Sequence, residues 1–189
     1  MRITGGQYRS RALKAPHGSL TRPTSDRVRE ALFSILGPRA AAERVMDLYA
    51  GTGALGLEAL SRGAGSVVFV ERSKEALAAL HANVEALGVG DLVRVVPSPV
   101  ERAAVRLRSA AERFDLIFAD PPYADVKSGV VAKVIEELFV PLFSDGALLV
   151  LEHASRDAAP PLVGLARDDS RTYGDTTLSF YTRTQGSPS

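Results

Sequence analysis

From Arg44 onward, apolar residues fall in short solid runs separated by stretches of helical period. Arg44–Tyr49 reads as a strand that ends in Ala50-Gly51-Thr52-Gly53. Leu55–Ser61 reads as a helix ending near Gly63. Ser66–Val70 is apolar throughout, as a strand covered on both faces should be. Lys74–Leu87 has Leu77, Leu80, Val84 and Leu87 in phase and stops at Gly88. Leu92–Val96 is a third strand, Val100–Ala111 a weaker helix, and Phe114–Ala119 a fourth strand running into Asp120-Pro121-Pro122. Val130–Phe143 reads as a helix and Ala147–Leu151 as a fifth strand. Such alternation predicts a doubly wound α/β sheet, mostly parallel.

The two ends break the alternation. Residues 1–22 hold Gly5-Gly6, Pro16 and Gly18 between short stretches in which Ile3, Tyr8 and Leu13 suit a small β-hairpin. Thr24 or Ser25 then caps a helix with Val28, Leu32, Ile35 and Leu36 on one face, stopped by Gly37-Pro38. At the far end, Leu162–Arg171 and Thr177–Thr182 are strand-like and joined across Gly174-Asp175, which predicts an antiparallel hairpin at the sheet edge. We divide the chain into a basic extension, residues 1–22, and a catalytic domain, residues 23–185.

Composition narrows the chemistry. The 189 residues are 46% hydrophobic and 24% charged, ordinary for a globular domain with a real core. No apolar run reaches the roughly 20 residues that cross a bilayer, and no secretory signal opens the chain, so a cytoplasmic protein is expected. Cysteine is absent. That excludes thiolate metal sites, cysteine nucleophiles and methylation at pyrimidine C5 by the usual covalent route. His17, His81 and His153 lack ligand spacing, so no metal is expected. Net charge is only +1, but residues 1–30 carry +5 and the remainder −4. A basic arm on a mildly acidic body suggests a polyanion-facing segment.

Gly51-x-Gly53-x-x-Gly56 follows a strand and opens a helix. Glycines there allow a tight turn and a close ligand approach. Glu71, at the end of the next strand, lies near the ~20-residue offset of a ribose-binding carboxylate. The constellation marks a nucleoside-containing cofactor without choosing between NAD and S-adenosylmethionine. Asp47, just before the loop, favours a ligand carrying an ammonium over one carrying a pyrophosphate. It could equally brace the turn by hydrogen bonds. The loop also comes late in the chain, whereas a dinucleotide domain more often starts its strand at once.

Asp120-Pro121-Pro122-Tyr123 ends the fourth strand, beside the switch point where open sheets bind ligands. An exocyclic base amine is a poor nucleophile because its lone pair is delocalised into the ring. It becomes reactive when its two N–H donors are held out of plane by acceptors. The Asp120 carboxylate and the Pro121 carbonyl suit that role, and Asp120 stabilises the positive charge that develops on nitrogen. Tyr123 offers a π-face to an unstacked base.

Several blocks then carry a family resemblance. Arg22-Pro23-Thr24-Ser25-Asp26-Arg27-Val28-Arg29-Glu30-Ala31-Leu32-Phe33, the stretch from Asp47 to Ala64, Asp120-Pro121-Pro122-Tyr123 and Tyr173-Gly174-Asp175-Thr176 occur in order. The chain resembles the RsmD family, bacterial enzymes that methylate guanine N2 in 16S ribosomal RNA. The resemblance implies a class I methyltransferase (Rossmann-like) fold: a seven-stranded, mostly parallel sheet with an antiparallel C-terminal hairpin and a small N-terminal β extension. It implies S-adenosylmethionine as donor, S-adenosylhomocysteine as product, and 16S rRNA, the small subunit or its assembly intermediate as partner. It places Asp47, Gly51, Gly53 and Glu71 at the cofactor, and we take Tyr49 with them. The target base falls at Asp120, Pro121 and Tyr123. Where the family's fold class often carries an aspartate for the adenine, this chain has Pro97-Ser98-Pro99, so Ser98 is the adenine candidate. Arg9, Arg11 and Arg22 are candidate phosphate contacts. A monomer is expected.

Three rivals stand beside this reading. An adenine-N6 methyltransferase of DNA would use the same turn, but usually adds a target-recognition domain. A nicotinamide-dependent oxidoreductase would need a hydride-handling pair near the fourth or fifth strand, and none is evident. A non-catalytic RNA-binding assembly factor would not need Asp120.

Overall fold

The computed structural model describes residues 1–15 and 25–184. Seven strands form one sheet: β1 (Arg44–Leu48), β2 (Ser66–Glu71), β3 (Val93–Pro97), β4 (Phe114–Ala119), β5 (Phe143–Ala154), β6 (Leu165–Tyr173) and β7 (Thr176–Arg183). Their order is β3-β2-β1-β4-β5-β7-β6. Strands β1 to β5 run parallel, and β7 is antiparallel to both β5 and β6. The class I methyltransferase fold and its antiparallel C-terminal hairpin are therefore present.

Alternation along the strands makes two cores. On one face Val45, Phe69, Leu116, Phe118 and Val150 pack against Leu32, Phe33 and Leu57 of the helices α1 (Asp26–Leu36) and α2 (Ala54–Ser61), and against Leu80 of α3 (Lys74–Leu87). On the other, Met46, Leu48, Ile117 and Leu149 pack against Ala103 and Leu107 of α4 (Val100–Ser109) and against Phe139. Burying both sheet faces accounts for the uninterrupted apolar runs of β1, β2 and β4.

Three helical elements differ from the sequence expectation. In α1, capped by Ser25 Oγ at 3.2 Å from Val28 N, the buried residues are Arg29, Leu32, Phe33 and Leu36, while Ile35 is exposed. The helix is rotated because Arg29 is drawn inward to an ion pair with Glu58. The expected helix over Val130–Phe143 is an α-helical turn, α6 (Val130–Val134), then a π-helical turn (Ile135–Phe139) and a 3-10 turn (Val140–Leu142). Pro141 lacks an N–H and its ring obstructs the preceding turn, so a regular helix cannot continue there. Strand β5 consequently begins at Phe143. A short helix that periodicity missed, α5 (Tyr123–Lys127), follows the Asp120 turn.

Residues 1–15 form a compact loop closed by one antiparallel bridge, Arg2 to Ala12, rather than two regular strands. Its Ile3 and Leu13 are buried in the α1–α2–α3 core. The loop is also stitched to α2: Thr4 N, Thr4 Oγ1 and Gly5 N each donate to the Glu58 carboxylate at 2.8 Å. Ser61 carries further bonds, accepting from Gln7 N at 2.7 Å through its carbonyl and from Tyr8 N at 2.9 Å through its hydroxyl.

Candidate functional site

The glycine loop and the Asp120 turn meet at the carboxyl ends of β1 and β4. Leu48 pairs with Ala119 at the last step of the two strands. The next residue, Asp120, donates its backbone N–H to Leu48 O at 3.5 Å. Thus the turn is fastened to the strand that feeds the loop.

The loop is built from unusual backbone. Tyr49 has φ 60 and Gly51 φ 56, and Gly53 caps α2 in the left-handed conformation at φ 79. A non-glycine residue there stores strain, and such residues concentrate at ligand sites. The glycines serve different needs. A Cβ on Gly53 would run into Leu80 Cδ1 and Phe69, whereas one on Gly51 would point into open space. Gly53 is needed for packing, and Gly51 leaves bare backbone facing outward.

Asp47 lies beneath the loop, buried, and accepts from Gly56 N at 2.9 Å. Burial pushes its carboxyl up to about 8, against the pull of the Gly56 bond and with a further rise from Glu71. Glu71 is half-buried at the rim. Its Oε2 accepts from Gly51 N at 2.8 Å, and its Oε1 from Arg72 N at 2.7 Å and Ser73 N at 2.8 Å. Three backbone donors fix the carboxylate while each oxygen retains lone-pair capacity. Ser98 follows Pro97, the register partner of Glu71, so it sits at the adjacent strand end. Ser98 is buried, with its hydroxyl 3.3 Å from Pro99 O. Tyr49 is half-buried; burial, then Glu101 and Asp125, push its phenol up to about 12.

Asp120 is half-buried, Pro121 buried, and Tyr123 opens α5. The Tyr123 hydroxyl lies 2.8 Å from Thr176 Oγ1 and donates to Glu152 Oε1 at 3.3 Å. Burial raises its pKa, opposed by Thr176, with Glu152 and Asp120 adding to the rise. Sequence reasoning overlooked Glu152. The signal available was its place at the carboxyl end of the fifth strand. Thr176 was marked only as part of a block; its bond to Tyr123 ties that block to the Asp120 turn.

Asn83 was also missed. Buried on α3, it accepts from Lys14 N at 2.7 Å and donates to Lys14 O at 3.1 Å and Thr52 O at 3.0 Å. It clips the N-terminal segment to the glycine loop. Arg9 and Arg11 are exposed on that segment, with Arg11 reaching Ala86 O at 3.1 Å. Arg22 lies outside the described residues. Among the described residues no cluster of three or more His, Asp or Glu could hold a metal, and no helix is long and apolar enough to cross a membrane.

Known proteins resemble this chain over nearly its whole length. A family model described as "Conserved hypothetical protein 95" matches residues 1–182. A Bacillus subtilis (strain 168) protein, provisionally named rRNA methyltransferase YlbH, is 38% identical over 185 residues, covering 96% of this chain and 98% of the relative. The Escherichia coli (strain K12) protein named ribosomal RNA small subunit methyltransferase D is 41% identical over 123 residues. That alignment spans 65% of this chain and 60% of the relative. A solved Escherichia coli structure, provisionally named methyltransferase yhhF, superposes with a TM-score of 0.81 at 30% identity, covering 97% of each chain. With the match running through the glycine loop and the Asp120 turn alike, the chain belongs to this family, the RsmD family of class I methyltransferases.

Proposed function

We propose that this chain transfers a methyl group from S-adenosylmethionine to the exocyclic N2 amine of a guanine in 16S rRNA, presented by the small subunit or its assembly intermediate. The observation that carries the reading is the Asp120 turn fastened to Leu48, beside the glycine loop. The small-subunit rRNA named in the Escherichia coli relative supports the substrate class.

The loop suits the proposed cofactor. Gly51 leaves an open approach to backbone. Glu71, held by three N–H groups, is placed to accept from two ribose hydroxyls. Ser98, at the neighbouring strand end, is the candidate for the adenine, and Tyr49 for the loop's wall. Asp47 braces Gly56 from below, and a cationic ammonium nearby would favour the charged form of its carboxyl, which burial pushes up to about 8. Bound here, S-adenosylmethionine supplies an electrophilic methyl group and leaves as S-adenosylhomocysteine.

The chain's own residues do the rest. Asp120 and the Pro121 carbonyl accept from the two amine hydrogens, holding the nitrogen lone pair out of the ring. Asp120 stabilises the charge that grows on nitrogen. Tyr123, its hydroxyl fixed by Thr176 and Glu152, presents a ring face to the extruded base. The amine proton leaves through Asp120 or water. Arg9 and Arg11 contact RNA phosphates, as does Arg22. No metal takes part, and the chain acts as a monomer in the cytoplasm. The test is methyl transfer from radiolabelled S-adenosylmethionine to small subunits from a strain lacking the enzyme, followed by nucleoside analysis. N2-methylguanosine is expected. Label in N6-methyladenosine, or binding of NAD in place of S-adenosylmethionine, would overturn the reading.

A further inference from the structure

We infer that Glu152 is the residue that reads guanine, by accepting from its N1–H beside the amine that Asp120 holds. The inference rests on the function proposed above and gives it a specificity element.

The register of the sheet places the group. Phe118 pairs with Val150 and Ala119 with Leu151 in parallel strands β4 and β5. One residue further on, Asp120 and Glu152 stand side by side at the carboxyl edge. Both share the sheet face of Phe118 and Val150, which is the face of α1. Neighbouring strands lie about 4.8 Å apart. Side chains rising from two neighbouring strand ends can address two adjacent donors on one base edge.

Glu152 is 5% exposed. It accepts from Tyr123 Oη at 3.3 Å, and Tyr123 Oη in turn lies 2.8 Å from Thr176 Oγ1. That chain aligns the Glu152 carboxyl group with the edge of the ring on which the base would stack. A carboxylate oxygen has lone pairs for more than one donor.

Base chemistry supplies the selectivity. Guanine carries N1–H next to its N2 amine, so a carboxylate accepts from it. In adenine the ring nitrogen beside the amine is itself an acceptor, and a carboxylate opposite it is repelled. Asp120 and Pro121 serve either base, because they address only the amine. Glu152 separates the two.

The decisive experiment compares guanine with 2-aminopurine at the mapped target, in small subunits reassembled around ligated 16S rRNA. 2-Aminopurine keeps the N2 amine but has an acceptor at N1. Wild-type enzyme should prefer guanine by about tenfold or more in kcat/KM, from the usual worth of a base-edge contact. In Glu152→Gln the side-chain amide can face either N1, so the preference should shrink by about tenfold or more. Each ratio is taken on one preparation, so it does not depend on the folded fraction. Tyr123→Phe, which cuts only the hydroxyl tie, should leave the preference nearer to wild type than Glu152→Gln does. Equal losses on both substrates in Glu152→Gln, down to complete inactivity, would make Glu152 a prop for Tyr123 and overturn the inference while leaving guanine methylation intact. Failure of the wild-type enzyme to methylate guanine would overturn the proposed function as well.

Discussion

The side-chain amide of Asn83 donates to the carbonyl of Thr52 at 3.0 Å, joining the middle of α3 to the loop proposed to hold the cofactor. The same side chain exchanges two bonds with Lys14. Asn83→Ala leaves these part-buried backbone groups unpaired, at a cost of about 1–3 kcal/mol. Denaturant unfolding should show that loss. Cofactor titration should show a several-fold weaker affinity, because Thr52 is freed to move. Unchanged values in both would mean that the clip is idle.

Glu58 links the N-terminal segment, α1 and α2 through one carboxylate. It takes Thr4 and Gly5 at 2.8 Å, Arg62 Nε at 2.9 Å and Arg29 Nε at 3.3 Å, and both Glu58 and Arg29 are 0% exposed. Glu58→Ala removes one buried partner of Arg29, which keeps Asp26 at 2.9 Å, so the loss should fall below the about 3–5 kcal/mol of a fully stranded buried charge. It should still lower the melting temperature more than Arg62→Ala, whose partner keeps its other bonds. Limited proteolysis should also reach residues 1–15 sooner in Glu58→Ala.

The carboxyl of Asp47 makes stability depend on pH in an unusual sense. Its folded pKa, about 8, lies above the ordinary carboxylate value of 3.8. Between those values the native state binds the extra proton, so this group's contribution to stability falls as pH rises, by up to about 1.4 kcal/mol per pH unit. Above pH 8 the penalty is complete. Asp47→Asn keeps an acceptor for Gly56 and removes the charge. Unfolding measured at pH 5 and pH 8 should show the substitution gaining on wild type at the higher pH. A constant difference would place the Asp47 pKa near its ordinary value.

Gly51 and Gly53 separate folding from binding. Both have positive φ, which costs an alanine about 1–2 kcal/mol. Only at Gly53 does a Cβ collide, with Leu80 and Phe69. Gly53→Ala should be the less stable protein in thermal melts. Gly51→Ala should stay folded and lose cofactor affinity by tenfold or more in direct titration, since its methyl group would stand in the open approach. Equal affinity to wild type would move the cofactor away from Gly51.

Strands β1, β2 and β4 were legible in the sequence because burial on both faces leaves solid apolar runs such as Val67 to Val70. The glycine loop was legible because its backbone demands restrict residue type. Less was visible where a charge goes inward. Arg29, counted in the sequence with the basic N-terminal residues, is buried on α1 and paired with Glu58. Pro141 broke the expected Val130–Phe143 helix into π and 3-10 turns, which a period of 3.6 does not reveal. Asn83 carried no local pattern, and Glu152 only its place at the carboxyl end of an apolar strand. Their meaning comes from strand register and helix docking, which bring Lys14, Thr52, Asp120 and Tyr123 to them from distant parts of the chain.

The most direct test of the account is single-turnover methyl transfer by Asp120→Asn, with S-adenosylmethionine affinity measured on the same protein. Asparagine keeps the shape and removes the charge that stabilises the developing cation. The predicted result is transfer slowed by about a hundred- to a thousandfold, with cofactor affinity unchanged. Transfer at the wild-type rate would contradict the account.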